Sequence, residues 1–97
     1  MESAQDHITV DLSSATGSCD VHAAFASALA FPDFYGYNWD AFWDAITCLV
    51  EMPRKLTVRG WARLERVLPR DARLLSECLS DMKRKCPDIA CDWELID

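Results

Sequence analysis

An α/β fold, with a small parallel sheet covered by helices, is what this sequence predicts, and three observations predict it. Three short segments are β-branched or alternate between apolar and polar residues. Amphipathic stretches of helical period lie between them, giving the order β-α-α-β-α-α-β. Each gap holds a helical crossover, which parallel strands need and a tight hairpin does not supply. Ninety-seven residues, 51% of them apolar, leave room for one core, so one domain is expected over residues 1–97.

The elements follow in chain order. His7-Ile8-Thr9-Val10-Asp11-Leu12 alternates and reads as the first strand, and residues 13–18 carry turn chemistry. Ser18 or Asp20 can cap a helix through Leu29, with Val21, Phe25 and Leu29 on one face. Phe31 to Tyr37 is a loop, because Pro32 disfavours helix before it and Gly36 permits a sharp turn. Asn38 is the expected N-cap of a helix running to about Cys48, closed off by Pro53. Lys55 to Arg59 is the second strand. Gly60 to Val67 forms a short helix carrying Trp61, Leu64 and Val67. Asp71 starts a longer helix to about Lys85, with Leu74, Leu75, Cys78, Leu79 and Met82 as its apolar stripe. Pro87 ends it, and Ile89 to Leu95 alternates as the last strand.

Charge is divided sharply along the chain. The net charge of −6 hides the fact that residues 1–53 hold eight acids and no Lys or Arg, while residues 54–97 hold all ten bases and eight acids. Seven of the ten aromatic residues lie within residues 31–43. An acidic, aromatic half repels phosphate backbones, which argues against nucleic acid as a direct ligand and for a basic protein partner. No apolar run approaches the roughly 18 residues a membrane span needs. The acidic first residues do not read as a signal peptide. Five cysteines without a CxxC pair fit reduced thiols in the cytosol better than a disulfide framework or a zinc site. No cofactor or metal is expected.

The predicted second helix carries the functional signal. Trp39, Phe42, Ile46 and Leu49 form its core stripe, and Asp40, Trp43, Asp44 and Thr47 form a neighbouring one. Like charges at i, i+4 cost a helix roughly 0.2–0.5 kcal/mol. Asp40, in the first turn, is compensated by the positive end of the helix dipole; Asp44, further along, is not. Carboxylates flanked by aromatics, with no local cation, suit an interface that receives Arg and Lys from outside. A solvated Asp44 and a small hydrolase using Asp40 and Asp44 remain alternatives, although neither His7 nor His22 sits at a telling spacing. No nucleophile elbow or phosphate-cradling loop is present. Lys83-Arg84-Lys85 reads as a solvated basic end of a helix, and Trp61 and Trp93 as core residues.

The stretch Phe31-Pro32-Asp33-Phe34-Tyr35-Gly36-Tyr37-Asn38-Trp39-Asp40-Ala41-Phe42-Trp43-Asp44-Ala45-Ile46-Thr47, followed by Val50-Glu51-Met52-Pro53, resembles the barstar family of intracellular ribonuclease inhibitors. The resemblance implies a two-layer domain with a three-stranded parallel sheet and about four helices, and no catalysis of its own. The implied partner is a basic, secreted, barnase-like ribonuclease, bound one to one as an immunity protein binds its toxin. Asp44 would stand in for a substrate phosphate, and Asp40 would pair with a base beside it. Phe34, Gly36, Asn38, Trp43, Thr47, Cys48 and Leu49 would line the contact, and Asp81 would add an acid from the last long helix. The chain departs from the family pattern at Phe34 (a Tyr there), Tyr37 (an acid), Cys48 and Leu49 (Gly and Trp) and Asp81 (a Glu). Those changes bear on which partner fits, and a different basic partner, such as another toxin enzyme, is the alternative.

Overall fold

The computed structural model describes residues 6–89 and 91–97. Among these, strands β1 (His7–Asp11), β2 (Lys55–Arg59) and β3 (Asp92–Leu95) form one parallel sheet in the order β1-β2-β3. Helices α1 (Ser18–Leu29) and α2 (Trp39–Asp44) lie between the first two strands, and α3 (Trp61–Val67) and α4 (Pro69–Lys85) between the last two. Both crossovers step the same way across the sheet, and right-handed crossovers that do so put all their helices on one face. The result is two layers.

Strand register explains why one face can stay bare. Ile8, Leu56 and Trp93 align across the sheet, as do Val10, Val58 and Leu95, and these six apolar residues face the helices. The intervening rows, His7-Lys55-Asp92, Thr9-Thr57-Glu94 and Asp11-Arg59, are polar throughout. On that face His7 Nε2 lies 2.8 Å from Thr57 Oγ1, and Lys55 pairs with Glu94 at 3.3 Å. Parallel sheets are usually covered on both sides, so this alternation is what makes a single helical layer sufficient.

The core lies between the layers. Val21, Phe25 and Leu29 from α1, Phe42 from α2, Leu64 from α3, and Leu75, Leu79 and Met82 from α4 are all buried. Leu74 and Cys78, at the edge of the α4 stripe, are half-buried. Trp61 and Trp93 pack against the core without being fully buried.

Several ends differ from the sequence-based expectation. The cap of α1 is Gly17, and Asp20 reaches back to accept from the Thr16 amide and hydroxyl at 2.9 and 3.0 Å. That helix stops at Ala30 in the left-handed conformation, with the Phe31 N–H donating to the Ala26 carbonyl. Helix α4 begins at Pro69, whose missing N–H is harmless in a first turn, so Asp71 lies inside it and buried. Val67 is exposed, because a seven-residue helix presents only one short apolar edge. The last strand covers only Asp92–Leu95; Ile89 is in a turn, and Ala90 lies outside the described residues. The basic run at the end of α4 is partly engaged, with Lys83 paired to Asp92 and Arg84 to Asp81.

Gly60 joins β2 to α3 with φ of 81°, and a Cβ there would sit 2.7 Å from the Ser13 amide nitrogen. Backbone of that kind costs a non-glycine residue about 1–3 kcal/mol. Gly60→Ala is therefore expected to lower the unfolding free energy by at least that amount in urea titration.

His22 is buried, and its burial holds the imidazolium form down, so its pKa lies below the ordinary value of 6.5 although Asp71 pulls the other way. The unfolded chain then takes up the proton first as pH falls. Stability present above about pH 6.5 is lost on acidification, before most carboxylates titrate. The urea midpoint should fall between pH 7 and pH 5, and a folded His22→Gln variant should stay flat over that window.

Candidate protein-binding site

The site grows from the end of α1 into α2. Residues 31–38 form a loop whose inner side is aromatic: Phe31 and Tyr35 are buried with ring centroids 4.7 Å apart, and Phe31 meets Phe42 edge-on at 6.0 Å. Its outer side is Phe34, 76% exposed, and Tyr37. The sharp turn falls at Tyr37, φ 53°, and not at Gly36. Gly36 is needed for closeness instead, since a Cβ there would meet Asn38 Nδ2 at 3.1 Å. Asn38 caps α2 as expected, its Oδ1 accepting from the Ala41 N–H at 2.7 Å while Nδ2 donates to the Gly36 carbonyl at 3.1 Å.

Helix α2 is held by Trp39 and Phe42. The Trp39 indole N–H donates to Asp71 Oδ1 at 2.9 Å, the Ser18 hydroxyl donates to the same oxygen at 2.9 Å, and the indole lies 4.5 Å from the His22 ring. One buried carboxylate thus joins α1, α2 and α4. With Trp39 and Phe42 turned inward, Asp40 and Asp44 are exposed, and among the described residues neither forms an ion pair or a side-chain hydrogen bond.

After Asp44 the helix widens into a π-helical turn, Ala45–Leu49, closed by the Val50 N–H on the Ala45 carbonyl at 3.1 Å. This overturns the expected core position of Leu49. The wide turn inserts a residue into the helical phase, so Val50 is half-buried and Leu49 is 46% exposed. Thr47 donates to the Trp43 carbonyl at 2.7 Å, and Cys48 is exposed beside it.

Phe34, Gly36, Asn38, Asp40, Asp44, Cys48 and Leu49 are exposed, and Trp43 and Thr47 half-buried, along the loop, α2 and the π turn. Asp81 joins them from α4 across a groove of about 400 Å³ lined by Trp39, Asp40, Trp43, Glu77, Asp81 and Lys85, among others. Burial pushes the Cys78 thiol in that groove up to about 11, and the nearby carboxylates of Asp81, Glu77 and Asp40 add to the shift. Asp81 is paired with Arg84. Glu77 and Lys85 were not anticipated as neighbours of the site. The only sequence signal for them is their helical spacing from Asp81, informative once α4 is known to lie beside α2. Among the described residues no group of three or more His, Cys, Asp or Glu side chains could hold a metal, and no helix is long and apolar enough to cross a membrane.

Losing an N-cap acceptor costs about 1 kcal/mol. Asn38→Ala should show a loss of that size in chemical unfolding, and Asn38→Asp, which keeps the acceptor, should lose less.

The chain was compared with known proteins. A Bacillus subtilis (strain 168) protein named "Putative ribonuclease inhibitor YrdF" is 39% identical over 41 residues, covering 42% of this chain and 45% of that protein. The match therefore spans less than half the length of that relative. A protein-family profile described as "Barstar (barnase inhibitor)" matches residues 5–93. With nearly the whole chain matched, and a three-stranded parallel sheet and four helices behind an acidic, aromatic α2, this protein belongs to the barstar family.

Proposed function

We propose that this protein is an intracellular inhibitor that blocks the active site of a basic, barnase-like ribonuclease one to one and catalyses nothing itself. The observation that carries this reading is the state of Asp40 and Asp44: exposed and unpaired, four residues apart, beside Trp43 and behind Phe34. Acids on a helix usually gain from a neighbouring base at i, i+4, and here that base is absent throughout residues 1–53. In this reading the partner supplies it. Asp44 occupies the place of a substrate phosphate among the enzyme's basic groups, and Asp40 pairs with a second base. Phe34, Gly36, Asn38, Trp43, Thr47, Cys48 and Leu49 fill the surrounding contact, with Asp81 opposite.

Electrostatics favour the encounter as well as the fit. A strongly acidic face and a basic enzyme steer each other together, at a rate that falls as salt rises. The exposed ring of Phe34 and the half-buried ring of Trp43 add the apolar area that excludes water from the charge pairs.

The test is a titration of barnase activity on RNA with purified protein. A stoichiometric endpoint near one to one supports the reading. Removing one member of a buried charge pair costs about 2–5 kcal/mol, so Asp44→Ala is expected to weaken inhibition by roughly 1.5 to 3.5 orders of magnitude. Full activity of barnase, and of any ribonuclease encoded beside this gene, in excess protein would overturn it.

A further inference from the structure

A second hollow, of about 430 Å³, adjoins the acidic groove at the start of α2. Ser18, His22, Tyr37, Asn38, Asp40 and Arg70 are among the residues that line it. Trp39 and Asp40 of α2 and Leu74 of α4 line both depressions and form the boundary between them. The two sides differ in chemistry. The groove holds three carboxylates, and Lys85 at its edge is the single base there. The hollow shares Asp40 with the groove and adds a base, Arg70, which is exposed and forms no ion pair among the described residues.

His22 is among the residues that line the hollow. The ring is 1% exposed, and its Nε2 is buried without a hydrogen-bond partner in the protein. Its Nδ1 lies 2.6 Å from the Tyr35 hydroxyl. Burial holds the Tyr35 proton on well above its ordinary range, and Nδ1 is the partner available to that hydroxyl. We assign Tyr35 as donor and Nδ1 as acceptor, which leaves the hydrogen of the neutral ring on Nε2. Asp71, the acid that acts on His22, has Oδ1 occupied by Ser18 and Trp39. A buried donor without an acceptor is destabilising, and a ligand that accepts would relieve it.

Tyr37 walls the hollow in a conformation that few bulky residues adopt, φ 53°, with its ring 5.3 Å from Tyr35 and 6.3 Å from His22. Strain of this kind persists where the surroundings fix it, and it clusters at binding surfaces.

We propose that this hollow is a further subsite of the partner-binding face and receives an Asp or Glu side chain of the ribonuclease, with Arg70 as its charge partner and His22 Nε2–H as the buried donor. The inference rests on the inhibitor reading above and deepens it: recognition is two-signed, with the partner's bases at the acidic groove and an acid at the adjoining hollow. A like-signed face steers any basic protein, whereas an embedded opposite charge rejects those lacking the matching acid.

Arg70→Glu separates this subsite from bulk electrostatics, because the two predict opposite signs. Making the protein more acidic speeds association with a basic enzyme and tightens binding overall. Loss of the subsite instead speeds dissociation. Against barnase by stopped-flow and competition, Arg70→Glu should raise the dissociation rate at least tenfold, and Arg70→Gln should raise it less. Arg66→Glu, the same charge change on α3, should leave dissociation unchanged. A double-mutant cycle of Arg70→Gln against each surface acid of barnase should find coupling to one of them. Circular dichroism shows whether each variant is folded, with Arg70→Gln standing in if the reversal is not. If wild-type protein inhibits but both Arg70 variants dissociate like wild type, or couple to no acid, the subsite is overturned while the inhibitor reading stands. If wild-type protein does not inhibit, both fall.

Discussion

The carboxylate of Asp71 is the contact on which the placement of the proposed binding face depends. It is buried at the start of α4 and accepts from Ser18 on α1 and Trp39 on α2, so three helices converge on one oxygen. A buried charge is tolerated only where donors replace its water, and two donors do so here. The indole that donates to it also stacks near His22 and meets Phe42 edge-on at 5.1 Å. Fixing Trp39 fixes the rotation of a six-residue helix too short to hold itself. That rotation puts Asp40 and Asp44 outside.

The charge asymmetry of the chain gains meaning from this arrangement. Four of the ten bases in the second half sit in local pairs among the described residues: Lys55 with Glu94, Lys83 with Asp92, Arg73 with Glu77 and Arg84 with Asp81. Exposed pairs of that kind contribute little to stability. Asp40 and Asp44 take part in none of these pairs, although Lys85 and Arg70 border the depressions that Asp40 lines. Asp81 is the exception, because Arg84 already holds it.

The π turn after Asp44 matters for the same reason. An α-helix continued through Leu49 would bury that side chain on the stripe of Phe42 and Ile46. Widening the turn by one residue exposes it, and Cys48 and Leu49 join the face that Asp44 starts. Interruptions of this sort are frequent where a helix serves a binding surface.

Much of this was legible from residue order alone. The alternation of Lys55 to Arg59, the spacing of Val21, Phe25 and Leu29, and the Asn38 cap are local signals, since a strand period, a helix face and an N-cap each depend on near neighbours. The family motif from Phe31 to Thr47 is likewise continuous in sequence, which is why the candidate residues could be named from it. Tertiary structure decided what separation in sequence conceals. Asp71 reads as the start of a helix, and only folding brings it 2.9 Å from an indole 32 residues away. Arg70, Glu77 and His22 become neighbours of α2 only because α1 and α4 pack on either side of it. Leu49 reads as core until the π turn shifts its phase. Local chemistry set the elements and the acidic stripe; the packing of distant elements set which side chains were left without a partner, because satisfaction of a charge or a donor depends on every element that reaches it.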